Sequence, residues 1–205
     1  MQYTEISRMK TAIIGWGSLL WDDRPQFDQH HGPWFYDGPR LRLEFSRVSV
    51  RRQKALTLVI EKTIGSECQV AYTVSHREDV RNAIEDLQIR EGATPKQVGV
   101  WRKDPHSEIP LLREVPPSID QWARLTDFDY VLWTGLPNNF KQLSYGQADF
   151  SLAAAGAHIR SLDEIGQAKA VEYIFRAPEF IQTPLRSELE SAEWFRLLWE
   201  RTRNA

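Results

Sequence analysis

The sequence predicts one mixed α+β domain, a small mixed β-barrel or curled sheet with helices outside it. Three observations carry this reading. Short alternating apolar runs, bounded by turn residues, dominate the first half of the chain. Helix-start and helix-stop signals interrupt those runs without a regular βα alternation. The length, 205 residues, suits a single core spanning 1–205 and is short for two.

The elements follow in order. Thr11 to Trp16 reads as a short buried strand. Leu41 to Val50 alternates, with Leu41, Leu43 and Phe45 apolar, and Ala55 to Ile60 forms its hairpin partner. The basic quartet Arg51-Arg52-Gln53-Lys54 between them reads as a solvated hairpin tip. Gln69 to Val74, Gln97 to Trp101 and Phe128 to Trp133 supply three more strands. Ser75-His76-Arg77-Glu78 has the spacing of a capping box and predicts a helix running to Arg90 or Glu91, stopped by Gly92 with Pro95 beyond. Pro105 to Pro117 is proline-punctuated loop. Asp149 to Ile159 is alanine-rich and helical. Ser161-Leu162-Asp163-Glu164 is a second capping box, opening a helix toward Tyr173. Arg186 to Arg201 reads as one amphipathic terminal helix, with Leu189, Trp194, Leu197 and Leu198 as its buried positions.

Composition narrows the function classes. The chain is 41% hydrophobic and 26% charged, with a net charge of −2, so electrostatics gives no basis for nucleic-acid binding. A single cysteine, Cys68, excludes an intrachain disulfide and a cysteine metal cluster, and suits a reducing cytoplasm. No apolar run approaches a membrane span, and none has the form of a signal peptide. His30 and His31 lie near Asp22, Asp23 and Asp28, but the spacing matches no standard metal site, and a solvated loop is expected. Arg47 and Ser49 point either inward or to water. Trp21 and Trp34 flank the early loop, and Asn138-Asn139 reads as a turn.

One carboxylate stands out. Val80, Ile84 and Leu87 are spaced i, i+4, i+7, and the next position of the same stripe is Glu91, while Ile89 faces the opposite way. A carboxylate that is partly desolvated and placed at a helix C-terminus is expected to have a raised pKa, the profile of a general acid/base near neutrality. The other stretch is Gly15-Trp16-Gly17-Ser18-Leu19-Leu20. It is not a dinucleotide fingerprint, because position 20 is leucine, and it is neither a phosphate loop nor a nucleophile elbow. Two readings remain open. The turn is either a nest of backbone N–H groups for a carboxylate or oxyanion, with Ser18 as an added donor, or a glycine bulge with no ligand.

Taken together, "GWGSLLW" and the later "LQIREG" resemble the γ-glutamylcyclotransferase superfamily, whose members carry a Tyr-Gly-Ser-(Asn/Leu)-Leu turn and a glutamate before a glycine about 70 residues later. "CQVAYTV", Cys68 to Val74, resembles the family strand that precedes the glutamate helix. "GSLLW" is closest to the ChaC-type and related bacterial branches. The resemblance implies a small barrel with flanking helices and release of 5-oxoproline from a γ-glutamyl amine or peptide. It makes Glu91 the acid/base. Trp16, Gly17, Ser18, Leu19 and Leu20 become the substrate-binding turn. No metal or organic cofactor is implied, and the partner is a small-molecule γ-glutamyl compound. The sequence departs from the family pattern at Trp16, where tyrosine is usual, and at Val70, where glycine is frequent. Tyr145 is the nominal counterpart of the family's late tyrosine. A binding module without turnover, or a scaffold docking through its terminal helix, are the other expected classes. Oligomeric state is not set by the sequence.

Overall fold

A computed structural model describes residues 9–203. It is mixed α+β, and its chain divides into two compact units. The first comprises the chain up to Gly15, Asp23–Pro39 and Ala71–Gly135. The second comprises Trp16–Asp22, Arg40–Val70 and the chain from Leu136 onward.

The first unit is built on β1 (Thr11–Gly15), whose five residues are all buried. Before its sheet partners come, a short helical turn α1 (Pro25–Asp28) buries Phe27. The second unit opens its sheet with β2 (Arg40–Ser49) and β3 (Ala55–Ile60). The expected strand Gln69–Val74 is two strands, β4 (Ser66–Gln69) and β5 (Ala71–Val74), with buried Val70 between them. They part because each satisfies a different edge. β4 pairs with β2, Leu41 opposite Cys68, and β5 pairs antiparallel with β1, Ile13 opposite Thr73.

Helix α2 (Val80–Glu91) follows β5. Its cap is not Ser75 but Asp79, whose carboxylate accepts from the Arg81 N–H at 2.8 Å. Ser75 is instead bridged to His31, and its Oγ accepts from the Arg77 N–H. The helix stops as expected at Gly92, in the left-handed region at φ 59°, where glycine carries no Cβ penalty. Next come β6 (Val98–Arg102), α3 (Pro117–Ala123), which the proline pattern did not suggest, and β7 (Tyr130–Thr134). The first unit's sheet has the order β5-β1-β7-β6, with β1 and β7 parallel. Leu87 and Ala83 of α2 are fully buried, and the helix packs on β7.

The second unit's sheet has the order β3-β2-β4 and is antiparallel. Neither sheet is a closed barrel, so the barrel expected from the sequence gives way to a four-stranded and a three-stranded sheet. A bulge interrupts the β2–β3 ladder between Glu44 and Arg47. Beyond Leu43, β2 no longer pairs with β4. Asn139 takes over at Val48, its amide oxygen accepting from the Val48 N–H at 2.7 Å and its nitrogen donating to the Val48 carbonyl at 3.1 Å. The predicted Asn138-Asn139 turn is thus a side-chain clasp on a strand edge.

Helices complete this unit: α4 (Phe140–Leu143), α5 (Leu152–Ser161), α6 (Glu164–Arg176), α7 (Pro184–Ser191) and α8 (Glu193–Arg203). The cap of α6 is Asp163, which accepts from the Gly166 N–H, whereas Ser161 closes α5. The expected terminal helix is broken at Ala192 into α7 and α8. The break redistributes burial: Leu189 and Phe195 are buried, whereas Leu197 is 46% exposed. Ala170, Val171 and Ile174 of α6 are buried, and the helix packs on β3.

Candidate functional site

The glycine turn belongs to the second unit. Trp16 is extended, and Gly17–Leu20 form one turn of 3-10 helix. Gly17 has φ +57°, and a Cβ there would lie 2.6 Å from the Tyr173 hydroxyl, so both backbone conformation and space demand glycine. The residue approaching the main chain at this point is a tyrosine of α6. Trp16 is buried, and its indole N–H donates to the Leu58 carbonyl at 3.4 Å, at the β2–β3 bulge. Ser18 and Leu19 are buried, and Leu20 is half-buried. The Ser18 carbonyl accepts from the Asp22 N–H at 2.9 Å, which closes the turn.

Around it lies a cluster that the sequence did not announce. Trp21 meets Tyr173 edge to face, with ring centroids 5.7 Å apart, and Phe45 approaches the other side of Tyr173 at 6.2 Å. The Arg52 guanidinium lies 5.3 Å from the Trp21 centroid and 5.1 Å from that of Tyr173, and it donates to Asp22 Oδ2 at 2.7 Å. Its side chain is 19% exposed. The solvated hairpin tip expected at Arg51–Lys54 therefore holds only in part: Arg51 and Lys54 are exposed, and Arg52 folds back over two rings. The ion pair and the cation–π contacts together offset the desolvation that this requires. Gln53 and Lys54 both take positive φ, which turns the chain sharply enough to bring Arg52 there.

Tyr173 has a sequence signal in hindsight. It stands on the buried stripe of α6 with Gly166 and Ala170, at i, i+4, i+7 spacing. Tyr145, the nominal late tyrosine, is 67% exposed, and its backbone N–H donates to His158 Nδ1 at 3.1 Å.

Glu91 belongs to the first unit. It is the last residue of α2, its side chain is 17% exposed, and its Oε1 lies 3.4 Å from Arg90 Nη1, a guanidinium group only 4% exposed. The stripe reading holds in part: Val80 and Leu87 are buried, Ile84 is only half-buried while Ala83 is buried, and Ile89, on the other face, is 65% exposed. An Arg–Glu pair this sheltered is held in place by its mutual attraction, because breaking it strands a desolvated charge. In the same unit, Gly15 abuts the Trp34 ring, which leaves no room for a Cβ. His31 is not solvated. Its side chain is 7% exposed, and its ring lies between Phe27 and Trp34, with centroids at 4.8 and 5.2 Å. Among the described residues, no group of three or more His, Cys, Asp or Glu side chains is arranged to hold a metal ion.

The second unit holds another buried carboxylate, Glu44, which is fully buried. Its Oε1 accepts from the Phe45 N–H at 2.8 Å, its Oε2 accepts from the Leu185 N–H at 3.3 Å, and the Thr183 hydroxyl donates to it. Burial pushes its pKa up from the ordinary 4.5, against the pull of those donors. Arg47, on the same strand, is held by the Pro137 carbonyl, and burial lowers its pKa.

Comparison of the chain with protein-family models and with curated proteins returned no match. Among the described residues, no helix is long and apolar enough to cross a membrane.

Proposed function

We propose that the protein is a γ-glutamylcyclotransferase-like enzyme that releases 5-oxoproline from a γ-glutamyl amine or peptide. The observation that carries this reading is Glu91: a carboxylate mostly withdrawn from water at the end of a core-facing helix stripe, yet not sealed, at the position the motif assigns to the acid/base. The substrate's α-ammonium gives a proton to Glu91, and the free amine attacks the γ-carbonyl. The C–N bond of the γ-amide then breaks as Glu91 returns the proton to the departing amine, and the ring nitrogen loses its second proton to solvent, which leaves the neutral lactam. Every atom of the lactam comes from the glutamyl group, so the protein supplies proton transfer, positioning and charge stabilisation. The reading places the protein in the cytoplasm, where γ-glutamyl substrates are small soluble molecules.

The test is incubation of the purified chain with a panel of γ-glutamyl amino acids and amines, followed by measurement of 5-oxoproline. Wild type is expected to release it, and Glu91→Gln is expected to release it at least ~100-fold more slowly. Equal rates in the two proteins would overturn the assignment of Glu91.

A second reading is a binding module for a γ-glutamyl or amino-acid-like ligand, favoured by the Trp16 indole N–H being spent on Leu58. Calorimetric binding of the same panel without any 5-oxoproline would select it.

A further inference from the structure

Helices α6 and α8 line an open cavity of about 350 Å³ within the second unit. Its charged and polar lining is Lys169, Glu172 and Arg176 from α6, and Thr202 and Arg203 from α8, with Trp199 as its aromatic wall. Glu172 is shared between two cations, at 2.9 Å from Lys169 Nζ and 3.4 Å from Arg176 Nη1. Their charges hold its pKa below the ordinary carboxylate value despite its partial burial. Arg203 lies over Trp199, 5.7 Å from the ring centroid, and among the described residues no carboxylate pairs with it. Three cations against one carboxylate leave the cavity with a positive excess of two charges. The wall is preformed: Trp199 stacks on Phe175 at 4.7 Å, and Phe175 stacks in turn on the fully buried Phe195.

Arg176 also reaches out of the cavity. Its guanidinium lies 4.6 Å from the Trp21 centroid, so one side chain serves both the cavity lining and the ring that follows the glycine turn. An anion in the cavity competes with Glu172 and with the Trp21 face for that guanidinium.

We infer that the α6–α8 cavity binds a compact polyanion, a phosphate ester or polycarboxylate, and that Arg176 reports its occupancy to Trp21. The size suits a small molecule, the charge selects an anion, and the fork of two arginines and a lysine matches several acceptor oxygens at once. This inference is independent of the proposed reaction.

The experiment uses the full chain with pyrophosphate and citrate as probes, by calorimetry at low salt and by tryptophan fluorescence. Saturable binding is expected, weakening as salt is added. Arg203→Gln and Lys169→Gln, both at exposed positions, are each expected to raise the Kd roughly tenfold with unchanged thermal midpoints. Binding of pyrophosphate alone would identify the ligand class as phosphate, and binding of citrate alone as polycarboxylate. The fluorescence change is expected to be clearly smaller in Trp21→Phe than in wild type, the remainder coming from Trp199 in the cavity wall. No heat with either probe at roughly 10 mM, or equal affinity in the Arg203→Gln/Lys169→Gln double variant, would overturn the site. Binding with a fluorescence change as large in Trp21→Phe as in wild type would overturn the link to Trp21.

Discussion

Glu44 and Glu91 are both carboxylates taken out of bulk water, one in each unit, and their surroundings differ. Glu44 has no exposure at all, and its oxygens meet two backbone N–H groups and a threonine hydroxyl. Glu91 keeps 17% of its side chain exposed and has a guanidinium partner. The first is a structural acceptor that joins β2 to the start of α7. The second keeps partial contact with solvent. Burial alone does not distinguish a catalytic carboxylate from a structural one; the distinction lies in what the oxygens already hold and whether a path to them remains.

The comparison is most exposed to Glu91→Gln. A loss of 5-oxoproline release by ~10²–10⁴-fold is expected, with the urea midpoint also lowered, because Gln keeps the shape but removes the charge beside the sheltered Arg90 guanidinium. A variant that instead unfolds while retaining specific activity would make Glu91 the structural member of the pair. Glu44→Gln comes next. Its amide nitrogen must face a backbone donor, so the expected cost is about 1–3 kcal/mol, read from denaturant unfolding. The pH dependence has a definite sign. Because the folded pKa of Glu44 lies above its ordinary value of 4.5, the fold binds that proton more tightly than the unfolded chain does. The contribution of Glu44 is thus most favourable below pH 4.5 and declines as pH rises through the raised pKa. The stability gap between wild type and Glu44→Gln should narrow across that interval, and a widening gap would contradict the burial argument.

Thr183→Val is expected to cost about 1–2 kcal/mol, since the hydroxyl both caps α7 and donates to Glu44. It should also steepen the loss of stability with rising pH. The smallest effect expected is at the start of the Glu91 helix. Asp79→Ala should cost about 1 kcal/mol, seen as earlier hydrogen exchange in the first turn of α2. Ser75→Ala should leave that turn unchanged, since Ser75 does not cap it.

Much of the local structure was legible. β1, β2 and β3 lie within a residue of where alternation puts them, and Gly92 ends α2 as a left-handed cap. What failed did so for physical reasons. Both capping boxes slipped toward the true cap, from Ser75 to Asp79 and from Ser161 to Asp163, because an aspartate nearer the first helical N–H wins the competition to satisfy it. The strand Gln69–Val74 was read as one because periodicity does not register a change of partner at Val70. The terminal helix hid its break because Ala192 carries no sequence mark of a stop. For the site, the Glu91 stripe was readable from spacing alone. Tyr173 and Arg52 were not, since their meeting with the turn depends on contacts between residues far apart in the chain.

The passage of the chain through Gln69, Val70 and Ala71 bears on how the molecule is made. β1 emerges early in synthesis, yet its parallel neighbour is β7, with Thr11 opposite Tyr130. Until that stretch leaves the ribosome, one edge of β1 has hydrogen-bonding groups with nothing to engage, and even its other edge must wait for β5. The three-stranded sheet, by contrast, has all its strands once Gln69 has been made. Folding is therefore expected to begin there, and a chain stalled before residue 130 would offer β1 as a sticky, half-paired ribbon to any passing strand.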